Sequence, residues 1–568
     1  MAVKMNLRTN CLIAGLMLVL CVDAQAQHHK QRKVEPKPKA VPQTVVANRS
    51  DTTIKGTTLE VYQQYEPELK PVTKPEFSAT LPPRPAAPTA QSYEVPQQTL
   101  VYSYRSLPLR PLALGKDSIL PGPANYALFG GGNFSTILAE LGLSSFRGKQ
   151  WQSAIQARYL TQKGNISGQI FRSFQMKGDG STTVKNHLLD GGVDVQSDAF
   201  GAYGYNHDKV TYSLNDVKRT RTNITLHAGA VNEAPGPWGI SYHPNISANY
   251  FTATNLNHET NFQIAIPIER KFDEKFSAGI GVNAWITNTN LDSVSRSNNV
   301  LQFTPHLSYQ EEGFSSYVGL NPTIGRDASY LLPKIDLRYK LSKTNLAVSA
   351  GWNATLLQNS ARQLFAANPF LAGISIIDAK QTRTDDVFGK LELGLGNHLS
   401  IWARGGWKQF KNLPMIVNQF PGDGKDFGLI SDPLVQAISW GGGVNYAIGK
   451  SLLLSVSGNW NNFYKKTFDH VYGEPSVQLR GNVAWTPIAA LQVSGYLEVM
   501  DQIWGINQIG ISEKTNSVID AGLAAEYSFI KQLNGFIRVD NLLGRKNERW
   551  LGYPSFGFNI YGGLRFLF

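Results

Sequence analysis

A lysine and a serine following a pair of glycines are the nearest this chain comes to a phosphate site. Gly443 through Gly449-Lys450-Ser451 has five residues between its glycines, whereas a Walker A loop has four and sits where a strand enters a helix. Here the flanks read as strand, turn and strand, so the backbone amides do not converge on an anion and a tight turn is the better reading. The ten histidines, among them His187, His227, His306, His398 and His470, show no H-E-x-x-H spacing, and no G-x-S-x-G occurs. Asp423 and Asp426 lie among glycines but do not match a calcium-loop spacing. Other polar residues recur at every second position: Lys390, Glu392, Asn459, Asn461, Asp520, Glu526, Asn559 and Arg565. Their chemistry is that of a wet wall, which lines a pathway or solvates an interior. The expectation is no catalytic residue, no cofactor, no metal, and ligand-binding residues that the sequence leaves unassigned.

The elements that position such a wall are strands with one apolar and one wet face. Leu346, Val348, Ala350, Trp352, Ala354 and Leu356 share one face, and Ala347, Ser349, Gly351, Asn353 and Thr355 the other. Ile438, Trp440, Gly442, Val444, Tyr446 and Ile448 repeat the pattern, as do Leu454, Val456, Gly458 and Trp460. Many segments run for about 11 to 15 residues, longer than the strands of most soluble sheets. From Tyr126 to Phe568 about 22 strands are expected, within a range of roughly 16 to 22, which is the size of large outer-membrane barrels. The fold class is therefore all-β, a transmembrane antiparallel barrel spanning residues 125–568.

Connection lengths carry a second signal, since such barrels alternate short periplasmic turns with longer outer loops. Tight turns are expected at Lys531 to Asn534, Gly449-Lys450, Gly396-Asn397 and Ser342 to Asn345. Longer links fall between them, at Gln358 to Thr384 and Lys411 to Gln436, with an early one at Gln162 to Asp190. With Tyr126 opening an upward strand, both termini are periplasmic.

Lys4 and Arg8, the apolar run Cys11 to Val22, and Ala24-Gln25-Ala26 form an export signal, so residues 1–26 are expected to be removed. Both cysteines, Cys11 and Cys21, lie within it. The remainder has no disulfide or thiolate-metal chemistry. No later apolar run reaches the 18 or so residues of a spanning helix, and the mean hydropathy is slightly negative. A membrane protein of this kind must be a barrel.

Between Gln27 and Pro123 lie 15 of the 29 prolines, including Pro82, Pro83, Pro85 and Pro88, and none of the 11 tryptophans. Proline fixes φ and removes an N–H, so residues 27–124 read as an extended periplasmic segment ahead of the barrel. Leu100, Val101, Tyr102, Tyr104, Leu107, Leu109, Leu112 and Leu114 make Tyr93 to Leu120 more apolar than a solvated linker requires, and this portion is expected to be ordered against the barrel. The net charge of +12 is spread over polar positions of an exported chain and implies no nucleic-acid partner. One basic cluster, from His28 and His29 through Lys30, Arg32, Lys33, Lys37 and Lys39, reads as a solvated tail.

Asp540-Asn541-Leu542-Leu543, Arg545-Lys546, Gly552-Tyr553-Pro554 and a last strand ending at Phe568 resemble the closing hairpin of TonB-dependent receptors. The match covers about 30 residues; Phe558 follows Gly557 where that family commonly has arginine. The opening hairpin, Asn125-Tyr126 through Gly132-Asn133 to Glu140-Leu141, resembles the first strands of receptor-like proteins of Bacteroidota. Proline-rich sequence stands where a plug would precede the barrel, so the resemblance is to a plug-less branch. Gln43-Thr44-Val45-Val46-Ala47 faintly resembles a TonB box. The resemblance implies an outer-membrane location, outer-membrane lipids as surroundings, and the barrel-assembly machinery reading the terminal Phe568.

The expected function is that of a receptor-like or porin-like barrel in solute uptake, not an enzyme. The alternative is a structural or assembly partner in a complex with other envelope proteins, with the proline-rich arm as its periplasmic tether.

Overall fold

The computed structural model describes residues 125–568 apart from Lys149, Glu233, Ala234, Pro237, Ser293, Ser342 and Lys343. The expected signal at 1–26, the segment 27–124, the Gln43–Ala47 stretch and the Tyr93–Leu120 portion lie outside the described residues. What is described forms a closed antiparallel barrel of 22 strands.

The wall begins with β1 (Asn125–Gly132), β2 (Thr136–Arg147), β3 (Trp151–Lys163), β4 (Ile170–Val184), β5 (His187–Gly201) and β6 (Lys218–Asn232). β7 is broken at His243-Pro244 into Ile240–Tyr242 and Asn245–Ala253, and is followed by β8 (Leu256–Lys271) and β9 (Phe276–Leu291). β10 runs in three pieces, Val294–Ser297, Val300–Phe303 and His306–Glu311. Then come β11 (Phe314–Gly325), β12 (Ser329–Lys340), β13 (Leu346–Leu357), β14 (Thr382–Leu395), β15 (Leu399–Asn418) and β16 (Phe427–Ile448). The last six are β17 (Leu452–Lys465), β18 (Val477–Ile488), β19 (Leu491–Asp501), β20 (Val518–Ile530), β21 (Leu533–Asp540) and β22 (Asn559–Leu567). Three short helices lie in the links: α1 (Leu214–Val217), α2 (Ala361–Ala367) and α3 (Gly373–Ile376).

The alternation that defines the strands also sorts them. On β16, Trp440 is 55% exposed and Val444 and Ile448 share its outward face, whereas Ala437 and Ser439 on the opposite face are buried. Phe262, Ile264, Ile266 and Ile268 of β8 likewise point out. On β22, Ile560, Leu564 and Phe566 are exposed, as is Phe568 just after it, while Asn559 and Tyr561 are buried, matching the two faces expected from the sequence.

Closure comes from β1 pairing with β22, from Tyr126 opposite Leu567 to Gly132 opposite Tyr561. Phe568 extends this seam through its N–H, which donates to the Asn125 carbonyl. Leu128, Leu138, Phe536 and Tyr561 form a small apolar cluster on its inner side. Gly563 is required here because a Cβ at that position would overlap the Phe129 carbonyl of the neighbouring strand.

Links at one rim are short, including 185–186, 312–313, 396–398, 449–451, 489–490 and 531–532. The opposite rim carries 202–217, 358–381, 419–426, 466–476, 502–517 and 541–558. The tight turns expected from the sequence all fall on the first rim, and Gln358 to Thr384 on the second.

Two expectations are corrected. Gln162 to Asp190 is not a long link: β4 and the start of β5 occupy most of it, leaving 164–169 at the long-link rim and a tight turn at 185–186. Gly178-Asp179-Gly180-Ser181 lacks apolar alternation and reads locally as loop, but it is held by pairing to β3 and β5 on both sides. Lys411 to Gln436 is mostly strand, because β15 and β16 stay paired out to Asn418 and Phe427. Met415, Val417 and Val435 are buried there in an apolar cluster that a solvated loop would not supply.

Replacing Gly563 with valine is expected to overpack the seam and cost about 1–3 kcal/mol. The fraction of chain migrating as heat-modifiable folded barrel in cold denaturing gels should fall. Unchanged folding yield and midpoint would show that the seam does not need the glycine.

Candidate functional site

Over the long-link rim the chain builds a second structure from links that would otherwise stand free. Its framework is α2, one short helix whose ends are held by other strands. The local signal is Ser360-Ala361-Arg362-Gln363, a capping box in which the Ser360 hydroxyl accepts from the Gln363 N–H and the Gln363 side chain accepts from the Ser360 N–H. That leaves the amides of the first turn. Glu259, on β8 and fully buried, accepts from the Ala361 N–H at 2.6 Å, the Arg362 N–H at 3.1 Å and the Thr289 hydroxyl at 2.8 Å. A carboxylate there satisfies orphan donors and opposes the positive end of the helix dipole.

At the other end, Arg221 on β6 donates from Nη1 to the Phe365 carbonyl at 2.8 Å, and from Nε to Asp198 at 2.8 Å. The helix that leaves β13 is thus gripped by β6 and β8. β8 and β6 lie five and seven strands from β13, which at about 4.8 Å per strand is roughly 24 and 34 Å along the wall, so the link reaches over the mouth. Its base is tied by amides: Gln358 and Asn298 exchange hydrogen bonds to each other's carbonyls at 2.7 Å, and Asn359 donates to the Lys380 carbonyl at 2.7 Å. Asn359 takes φ of 56° to do so, a left-handed conformation that asparagine tolerates.

Apolar burial fills the space beneath. Phe365, Leu364, Phe251 and Leu256 belong to one core with Leu371, Phe427 and Tyr553, each large side chain contributing about 1.5–3 kcal/mol when removed from water. Tyr553 is its hub. The ring stacks on Phe370 with centroids 4.2 Å apart and packs against Tyr203 at 5.0 Å and Phe427 at 5.4 Å. These partners come from links 358–381 and 202–217 and from the end of β16. Burial pushes the phenol well above its ordinary range, so it stays protonated and donates to the Lys425 carbonyl at 2.6 Å. Pro554 beside it accepts from Tyr203 and Gln169. Asn541, at φ 46°, pins the base of this link by donating to the Arg545 and Phe556 carbonyls. The Asn-Leu-Leu and Tyr-Pro signatures therefore have structural jobs, as the base and the centre of the same link.

A second apolar core joins the ends of β15 and β16 to links 466–476 and 502–517 through Met415, Val417, Val435, Val471, Tyr472 and Ile506. His470 stacks on Trp504 at 3.6 Å. Burial, with Lys466 adding to it, lowers its pKa and favours the neutral ring.

The polar residues expected on the wet face point inward. Lys390 pairs with Glu392, which also meets Arg338, and Arg565 lies 3.3 Å from Glu526. Asp520 accepts from Tyr496, and Asn559 lies 3.5 Å from Thr136. Asn459 and Asn461 face Gly441 and Ser439 across the β16–β17 ladder. The structure does not gather them into one site, since they are spread along the inner wall. The remaining histidines are also dispersed: His187 on Tyr242, His227 near Asp179, His306 stacked on Tyr317, and His398 on the Ala447 carbonyl. Among the described residues no group of three metal-ligating side chains occurs.

Asp423 and Asp426 are occupied by protein partners. Asp426 is bridged by Arg219 at 3.0 Å. Burial acts to raise the Asp423 carboxyl, but hydrogen bonds from the Lys425 amide and from Tyr212 outweigh it and hold the group low. Gly449 turns with φ of 51° between two paired strands, so the glycine-lysine-serine motif is a tight turn. Sequence reasoning missed Glu259 and Arg221, whose partners lie more than a hundred residues away; the capping box at Ser360 was the one local signal.

No protein-family model matches this chain, and no curated protein matches it. Solved structures do. The pyoverdine outer membrane receptor FpvA from Pseudomonas aeruginosa is 11% identical with a TM-score of 0.59, covering 78% of each chain. A mutant of the ferric enterobactin receptor PfeA from the same organism is 11% identical with a TM-score of 0.57, covering 78% of this chain and 80% of that one. The FrpB iron transporter from Neisseria meningitidis is 10% identical with a TM-score of 0.59, over 78% and 81%. At these identities the likeness is one of fold.

Changing Glu259 to alanine is expected to leave the first two amides of α2 without acceptors, at about 1–3 kcal/mol for each. Glu259→Gln keeps an acceptor oxygen and should lose less. Limited proteolysis of the folded barrel reads this directly: cleavage within 358–381 should speed up in the order wild type, glutamine, alanine. Equal rates would show that Glu259 does not hold the helix.

Proposed function

We propose that this chain is an outer-membrane, receptor-like barrel for solute uptake, with the long-link rim facing outward and the short turns in the periplasm. The observation that carries this reading is the combination of a wide polar lumen with links from opposite arcs of the wall interlocking over its mouth. A wide barrel left open would be a permanent aqueous hole. A mouth covered by links with an apolar core has instead a defined closed state and the means to leave it. The structural neighbours are receptors for pyoverdine and ferric enterobactin and an iron transporter, which supports uptake without naming this chain's solute. Transport is a better account of the inner wall than catalysis, because its charged residues are paired with one another along several strands.

The plug-less arrangement and the reading of Phe568 by the assembly machinery belong to the same proposal, whereas a tethering role of residues 27–124 belongs to the second reading, that of a structural or assembly partner. Phe568 is 54% exposed on the outer face beside Phe566, within reach of such a partner. One observation favours the second reading, an assembly role with another envelope protein: Ile509 and Ile511 project from link 502–517 beside Phe420, all exposed.

The orientation and the gating role are tested together. A small tag inserted at Ile509-Gly510 should be labelled on intact cells, and one at Gly449-Lys450 only after permeabilisation; the reverse pattern would invert the barrel. In planar bilayers, Tyr553→Ala should raise the conductance or the frequency of opening above wild type. Equal conductance in a correctly folded variant would remove the cap as the gate.

A further inference from the structure

Beneath the cap, the inner wall is not uniform. On the inward face of β20, Asp520 and Glu526 flank Gly522 and Ala524, and Ser494 of β19 stands opposite Ala524. Ala524 and Ser494, side by side, leave a hollow next to the Tyr496 ring, which itself covers Gly522. The result is a recess of about 420 Å³, within the size range of small-molecule sites.

Its walls are polar in a particular way. Asn482 and Tyr496 face one another across the β18–β19 ladder, and Arg538 faces Tyr561 across β21–β22. With Asp540 these residues line the recess. Tyr496 leans over Gly522, where a Cβ would strike its ring. It donates toward Asp520 at 3.3 Å and Asp540 at 3.4 Å, which fixes the ring as one wall. An Oδ1 of Asp520 behind it is buried without a partner.

The lining holds the Arg538 guanidinium and the Asp540 carboxylate, two residues apart on the same strand, with the Asp520 carboxylate behind Tyr496. An ion of either sign that is attracted by one is repelled by the other. What the set does match is a molecule whose neighbouring groups both donate and accept. Guanidinium, carboxylate and amide are planar groups able to make paired hydrogen bonds, the Ser494 hydroxyl and the phenols add single ones, and the Tyr496 face offers an apolar surface to C–H groups. We infer that this recess is a luminal binding site for a neutral, polyhydroxylated solute of sugar size. It deepens the uptake reading, on which it rests, by supplying a stop for the solute inside the barrel and under the cap.

The test is titration calorimetry of the full chain, folded in an amine-oxide detergent so that no sugar headgroup competes, with maltose as the probe. Wild type should give saturable heat. Asp540→Ala and Asn482→Ala should each weaken binding at least tenfold, and Ala524→Phe, which fills the recess, should abolish it, with heat-modifiable migration showing that each variant is folded. Absence of saturable heat in wild type, or binding indifferent to all three changes, overturns the site. Saturable, variant-sensitive heat from glycylglycine in place of maltose overturns the polyol assignment. Because the titration does not involve permeation, a protein that opens when its cap is loosened yet binds no maltose would lose this site and keep the uptake reading.

Discussion

Backbone pairing is the constraint on which everything else in this molecule depends. In a hydrocarbon layer each unpaired N–H or C=O costs several kcal/mol, so a sheet there can have no edge. The β1–β22 ladder removes the edge, and the glycine at position 563 exists because two backbones must approach closely for that ladder to form. Once the sheet is closed, period-two alternation has no freedom left. One face of every strand turns outward and the other inward, which is why Trp440 is exposed and Ser439, adjacent in sequence, is buried.

Closure creates a second problem, a wide lumen, and the cap is the answer visible in the structure. Strands alone cannot cover a mouth of this width, but links can if they are held at both ends. The link 358–381 is held by charge and hydrogen bonds that only other strands provide: Glu259 at the start of α2 and Arg221 near its end. The link 541–558 is held by aromatic packing around Tyr553. The two kinds of hold differ in character. The hydrophobic burial around Tyr553 is non-directional, whereas the hydrogen bonds to a buried carboxylate depend on direction.

Much of the wall was legible in the sequence because its signal is local. Alternation in β13, β16, β17 and β22, the turns at Gly396-Asn397 and Gly449-Lys450, and the inward polar residues from Lys390 to Arg565 all follow from neighbours in the chain. The first misjudged region, β4, carries glycine and polar residues on both faces, so its strand character comes from β3 and β5. The second, the long ends of β15 and β16, depends on burial against links that are distant in sequence. The cap was illegible for the same reason. Glu259 looks like any polar residue on a wet face until Ala361 is placed against it. Tyr553-Pro554 was noticed as part of a resemblance, but its role as hub required the positions of Tyr203, Phe370 and Phe427.

The central claim is that links from separate arcs of the wall meet over the lumen, and the contact between Phe370 and Tyr553 is its most direct expression. The measurement that tests it is cross-linking of the double variant Phe370→Cys, Tyr553→Cys with a short bifunctional thiol reagent in the folded, membrane-embedded protein. The account predicts one cross-linked species with altered gel mobility, formed in the native barrel and lost on prior unfolding. Two thiols that stay separately reactive in the folded protein would contradict it, because links that do not meet cannot close the mouth.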